Sequence, residues 1–173
     1  MLFVRGAVAD RIDEIRRRWD PLMARRIDAH LTLIHDVVGH DAAAGRVAGL
    51  AADTAPFEIT LTATGCWGGT ANYGVYFGVD DPTGGIARLH TDLADLEAPR
   101  WARVPFRPHV TLVHGRTVDP QLAEPAWAAL CDLREEWAVE LSAIDIIELD
   151  DATGWTSVQR CDLTGSVLRD RPL

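Results

Sequence analysis

The chain has 173 residues, 47% of them hydrophobic, with 17 basic and 26 acidic side chains and a formal net charge of −9. That suits one soluble domain with a sizeable core, and it argues against a protein that tracks a long nucleic-acid backbone, which needs many cations to neutralise phosphates. All the basic residues are arginine, so no lysyl adduct, Schiff base or phosphate loop ending in Gly-Lys-Ser/Thr is available.

No stretch approaches the ~20 apolar residues of a membrane span, and the apolar N-terminus is too short for a secretory core. Cys66, Cys131 and Cys161 are widely spaced and outside any Cys-x-x-Cys pattern. They read as reduced thiols of a cytoplasmic protein.

Residues 2–8 read as a strand. Asp10 and Asp13 offer an N-cap for a helix with apolar positions Ile12, Ile15, Trp19 and Leu22, which Asp20-Pro21 breaks or restarts. A strand over about 29–36, an alanine-rich helix over about 41–53 and a strand at 57–63 follow. The glycine-rich turn from Gly65 to Gly69 leads into a strand at 73–79, predicting a β-hairpin.

Beyond a turn at 81–85, Ile86, Leu89, Leu93 and Leu96 mark a helix, and another strand covers about 108–116. Asp119-Pro120 reads as an N-cap with proline in the first helical position, and Leu122, Ala126, Leu130, Leu133 and Trp137 continue at helical intervals. A strand from Val139 to Leu149, a turn at 150–154 and a strand from Trp155 to Leu163 end the pattern.

Two of these strands carry nearly the same phrase: His30-Leu31-Thr32-Leu33-Ile34-His35 and His109-Val110-Thr111-Leu112-Val113-His114. In a regular strand alternate side chains share a face, so His30 joins Thr32 and His109 joins Thr111, while Leu31, Leu33, Val110 and Leu112 point to a core. The motif histidines are 79 residues apart, and Phe57, Ile59, Leu61 and Ala63 match Trp137, Val139, Leu141 and Ala143 at an offset of 80. This predicts a duplicated α+β fold of two lobes, each a mostly antiparallel sheet with helices outside, whose motif strands meet across a central cleft.

The doubled His-x-Thr, with Phe106-Arg107-Pro108 leading into the second copy, resembles the 2H phosphoesterase superfamily, closest to its 2′,5′ RNA ligase / RNA 2′,3′-cyclic phosphodiesterase branch. The resemblance spans nearly the whole chain. It implies His30 and His109 as the catalytic pair, with Thr32 and Thr111 holding the phosphate. The reaction would open a 2′,3′-cyclic phosphate, or join RNA ends at a 2′,5′ linkage, with no metal, ATP or other cofactor.

Elementary chemistry agrees with that implication. Opening a cyclic phosphodiester needs a base for the attacking water, an acid for the departing ribose oxygen, and donors for the phosphate oxygens. Two imidazoles titrating near neutral pH and two hydroxyls meet those needs, and which histidine is acid stays open. Arg107 would share the face of His109 as a further phosphate or ribose contact, or stand as a solvated strand-end residue.

His35 and His114 also recur, but regular parity puts them on the opposite face, which argues against a four-histidine zinc site. His40 and His90 read as surface or cap residues. Trp67, Tyr73, Tyr76, Phe106 and Trp155 are candidate stacking surfaces for a base, although such rings more often pack cores. The expectation is a monomeric phosphodiesterase acting on a small cyclic nucleotide or an RNA end. The alternatives are an ATP-independent RNA-end ligase and a non-catalytic nucleotide-binding module.

Overall fold

The computed structural model describes residues 1–67, 74–101, 103–150 and 154–166. In chain order these form β1 (Leu2–Phe3), α1 (Gly6–Trp19), α2 (Pro21–Arg26), β2 (His30–Leu31), α3 (His40–Asp53), β3 (Phe57–Trp67) and β4 (Gly74–Asp80). Then come α4 (Gly85–Leu93) with a 3-10 turn at Ala94–Leu96, β5 (His109–His114), α5 (Pro120–Leu130), β6 (Trp137–Leu141), β7 (Ala143–Asp150) and β8 (Gly154–Asp162). The class is α+β and every strand pairing is antiparallel. Among the described residues no helix is long and apolar enough to cross a membrane.

One sheet has the order β5-β4-β3-β6, while β1-β2 and β7-β8 form two-stranded ladders. The backbone N–H of Asp145 donates to the Met1 carbonyl at 2.8 Å, which lays β7 beside β1. Residues 57–61 pair with 141–137, centred on Ile59↔Val139. That register maps onto itself under the 80-residue offset read from the sequence. Among the described residues a hydrophobic cluster that includes Leu2, Leu31, Ile59, Phe77, Leu112 and Ile144 underlies these ladders.

Two fully buried polar residues on α1 and at its end set the position of β5. The Arg16 guanidinium donates to the Thr111 carbonyl from Nε (3.0 Å) and Nη2 (2.6 Å), and to the Ile27 carbonyl from Nη1 (3.1 Å). Four residues on, Asp20 accepts from Met23 N through Oδ1, capping α2, and through Oδ2 from His114 N (2.9 Å) and the Thr117 hydroxyl (2.6 Å). The middle and the C-terminal end of β5 are thus held from one helix and its cap, and Arg16 also holds the segment that enters β2.

Several boundaries differ from expectation for identifiable reasons. The strand expected at 2–8 stops at Phe3 because Gly6, with φ +69°, turns the chain directly into α1; Arg5 precedes the helix, so neither Asp10 nor Asp13 caps it. With β1 so short, the first motif strand pairs only at His30 and Leu31 and not over 29–36. Thr32 and His35 lie in the irregular chain beyond.

Thr64 of β3 donates its hydroxyl to the Leu130 carbonyl and accepts from Leu133 N, which ends α5 before Leu133. Trp137 therefore begins β6 and packs edge-on against Phe77 at 4.9 Å. The strand expected from Val139 to Leu149 is two strands in different ladders, parted at Ser142. The turn expected at 65–69 is still strand as far as Trp67. Residues 68–73, with Tyr73, and 151–153 in the last turn lie outside the described residues.

The cysteine expectation is also corrected. Cys66 and Cys131 form a disulfide with Cα atoms 6.2 Å apart, and Cys161 is free. Their 65-residue separation conceals a contact made when Thr64 fastens β3 to the end of α5.

Arg16→Ala removes three charge-assisted hydrogen bonds and strands buried carbonyls, so a loss of about 3–5 kcal/mol is expected in urea unfolding. Arg16→Lys should also be destabilised, because an ammonium cannot reproduce the planar fork to both carbonyls.

Candidate active site

β2 and β5 run close to each other but share no ladder: among the described strands β2 pairs with β1 and β5 with β4. The gap is spanned from behind by Arg16, through Ile27 on one side and Thr111 on the other. His30 and His109 stand on its two banks.

The two rings are held in the same way. His30 Nδ1 donates to the Asp28 carbonyl and His109 Nδ1 to the Arg107 carbonyl, each at 2.7 Å and each two residues upstream. A carbonyl can only accept, so each neutral ring carries its proton on Nδ1 and keeps a lone pair on Nε2. Burial, then the Arg16 guanidinium, pushes His30 down to about 3, and His109 adds to that field. Burial also lowers His109, with further contributions from His35 and His114. Both shifts favour the neutral ring at pH 7.

Thr111 is 9% exposed and pairs with Tyr76 on the face of β5 that carries His109. Thr32 is half-buried just past the end of β2. The Arg107 side chain is exposed, and its backbone carbonyl is what engages His109.

The strand parity expected for His114 does not survive. Gly78, Phe77 and Tyr76 pair with His109, Val110 and Thr111, but Val75 and Gly74 then pair with Val113 and His114. Leu112 is the extra residue of a β-bulge, and Leu112 and Val113 are both fully buried in the core. Beyond the bulge the alternation inverts. His114 therefore shares the side of His109 and Thr111, because paired residues project to one face.

His114 Nδ1 accepts from the Arg116 backbone N–H at 3.1 Å, which places the proton of its neutral ring on Nε2 and makes it a donor where the motif pair are acceptors. His35 has left the strand; its ring stacks on Trp101 at 4.4 Å and approaches Glu97 Oε1 at 3.3 Å. Among the described residues no three His, Cys, Asp or Glu side chains converge as metal ligands. His90, expected at the surface, is half-buried: it donates to the Leu33 carbonyl at 2.8 Å and stacks on Phe106 at 3.7 Å.

Two of the candidate stacking rings border the site. Trp67 and Tyr76 stack at 4.4 Å, and His109 stands edge-on to both at 4.8 and 5.4 Å. Each ring lies over its glycine partner across the hairpin. A Cβ at Gly65 would come within 2.6 Å of the Tyr76 hydroxyl, and one at Gly74 within 2.6 Å of the Trp67 ring. Trp155 lines a cavity together with Phe3, the strand partner of His30, and Phe106 serves the His90 clamp.

Arg16 and Asp20 escaped the sequence reading, although the signal was present. Residue 16 falls on the same stripe as Ile12, Ile15 and Trp19, the i, i+3, i+4, i+7 positions that face a core. An arginine there, amid three in a row, announces a buried cation. The assembled site offers two lone pairs on opposite banks, Thr111 on the face of His109, one fixed N–H donor on that side and a buried positive charge behind.

A family model for the 2'-5' RNA ligase superfamily matches residues 4–153. No curated protein sequence matches. Among solved structures, the Thermus thermophilus protein TT0787 aligns with a TM-score of 0.64 and 19% identity over 95% of this chain and 96% of that one. Escherichia coli LigT complexed with NADP+ aligns at 0.63 and 22%, and LigT complexed with 3'-AMP at 0.61 and 21%, each over 94% of this chain and 95% of LigT. At these identities the likeness is one of fold.

The ring assignments are directly testable. Long-range 1H–15N spectra above pH 7 should show His30 and His109 as Nδ1–H tautomers and His114 as the Nε2–H tautomer. The opposite pattern at His114 would place that ring outside the arrangement described.

Proposed function

The chain belongs to the 2′-5′ RNA ligase superfamily, and on that premise we propose that it is a metal-independent phosphodiesterase opening the 2′,3′-cyclic phosphate of a nucleotide or RNA end. The observation that carries this reading is the matched pair of histidines, each fastened through Nδ1 to a carbonyl two residues upstream and each left with a basic Nε2 at one gap. Structural and binding roles do not require such duplicated tuning; acid/base chemistry on opposite sides of a phosphorus atom does.

The stronger depression of His30, which sits beside the Arg16 guanidinium, supports one division of roles. His30, the more strongly depressed, stays neutral and takes the proton of the attacking water. His109 is protonated more readily and gives its proton to the departing ribose oxygen. Thr32 and Thr111 donate to the phosphate oxygens, His114 Nε2–H adds a third donor, and the buried Arg16 charge attracts the anion.

With the 5′-hydroxyl of a second RNA end attacking the cyclic phosphate in place of water and the 3′-oxygen departing as a protonated hydroxyl, an ATP-independent 2′,5′ joining is compatible with the same groups. A nucleotide as ligand is supported by the LigT complexes with NADP+, 3'-AMP and ATP. The duplicated two-lobe reading is supported by the self-mapping register about Ile59↔Val139, and a single domain by the continuous core.

Incubation with nucleoside 2′,3′-cyclic phosphates and 3′-modified oligonucleotides, with products identified, tests the reading. Binding without conversion would leave only the non-catalytic module. His30→Ala and His109→Ala should each slow the chemical step by roughly 10²–10⁴, and the double variant by less than the product. His114→Ala should raise KM about tenfold or more by removing a donor to an anion, with His114→Gln milder.

The pH profile has a definite sign. The productive free enzyme has His30 neutral and His109 protonated, and both are depressed. kcat/KM should therefore be greatest in acid and fall about tenfold per pH unit above about 6.5, the ordinary histidine value. The limbs belong to the coupled pair. A profile flat from pH 5 to 8 with chemistry rate-limiting would contradict the mechanism.

A further inference from the structure

On the His30 side lies a cavity of about 210 Å3 that the proposed reaction leaves unused, lined in part by Phe3, Arg5, Arg25, Arg26, Trp155 and Ser157. In a chain of net charge −9, three arginines and two aromatic rings meet there. Register fixes its place relative to the site. Phe3 is the direct antiparallel partner of His30, so both side chains lie on one face, with ring centroids 6.0 Å apart. Asp28, whose carbonyl holds His30 Nδ1, lines the same cavity.

The far wall is tightly built. Gly154 has φ +89°, and a Cβ there would lie 2.8 Å from the Arg26 carbonyl oxygen, so the start of β8 packs against the end of α2 and brings Trp155 beside the two arginines. Arg5 is already engaged, lying 4.8 Å over the Phe3 ring and 3.4 Å from Asp28 Oδ2. No ion pair to Arg25 or Arg26 is formed by a described residue, and both are exposed. Their place at the end of α2 is favourable for cations, but that does not account for a concave wall of aromatic rings.

Size and chemistry narrow the ligand. Sites for complete small molecules run to about 300–1,000 Å3, so this cavity suits a fragment. Guanidinium forks match phosphate oxygens, and flanking rings suit a sugar or base edge.

We propose that this pocket takes a second phosphate group of the substrate, joined through a nucleoside to the cyclic phosphate held between His30 and His109. The preferred substrate is then an RNA end or a 5′-phosphorylated nucleotide, and not a lone nucleoside cyclic phosphate. The proposal rests on the phosphodiesterase reading for its first phosphate.

The test compares kcat/KM of the wild type and the Arg25→Ala/Arg26→Ala variant on adenosine 2′,3′-cyclic phosphate, its 5′-phosphorylated form, and a dinucleotide ending in the cyclic phosphate. The wild type should prefer one or both of the last two by about tenfold or more, and the preference should collapse toward one in the variant. Which of the two is preferred distinguishes a nucleotide 5′-phosphate from an RNA phosphodiester. Equal wild-type rates on all three, or a preference that persists in the variant, would overturn it.

Calorimetric binding of a dinucleotide 3′-phosphate against adenosine 3′-phosphate, neither of which has a cyclic ester to open, separates the two readings. Tighter binding of the dinucleotide that is lost in the variant, with no turnover of any substrate, would keep the pocket and reject the phosphodiesterase. Turnover without any preference in rate or binding would do the reverse.

Discussion

The buried guanidinium of Arg16 is the contact on which the rest depends. Two motif strands approach with no ladder between them, and a charge with five N–H donors in a rigid plane is what spans the space, tying the Thr111 carbonyl of one to the Ile27 carbonyl ahead of the other. Hydrogen bonding to buried carbonyls compensates much of the desolvation that would otherwise make a buried cation untenable. Desolvation draws Arg16 down to about 10, so it remains charged at neutral pH. The same charge that fixes the geometry also lies behind His30 and depresses it. Structure and electrostatics are thus set by one residue.

Asp20 extends that logic by one helical turn. Its two carboxylate oxygens cap α2 and fasten the end of β5, so the strand carrying His109 is gripped at Thr111 by Arg16 and at His114 by Asp20. The bulge at Leu112 lies between those grips. By burying two consecutive residues, Leu112 and Val113, it turns His114 toward the side of His109. A strand without the bulge would have left His114 in the core.

The two sides of the site are furnished differently. Beside His109 the hairpin replaces side chains with Gly65 and Gly74, so that Tyr76 and Trp67 can lie across the sheet and stack. Beside His30 the furnishing is arginine with Phe3 and Trp155. The two similarly held motif histidines are therefore set in unlike surroundings.

Local pattern carried much of this into view. The alternation of His-x-Thr with apolar residues, the 80-residue offset and the Asp119-Pro120 cap are short-range or periodic signals, and α+β class, most element positions, the motif histidines and the family follow from them. The helix expected to run to Trp137, the length of the first motif strand, the Cys66–Cys131 bond and the side on which His114 lies were decided elsewhere. Each depends on a partner distant in sequence: Thr64 on the end of α5, a β1 only two residues long, a cysteine 65 positions away, and a β4 whose register admits one extra residue. Periodicity reports which face of an element is apolar. It cannot report which neighbour that face will meet or where a register slips, because those are settled only when the whole core packs at once.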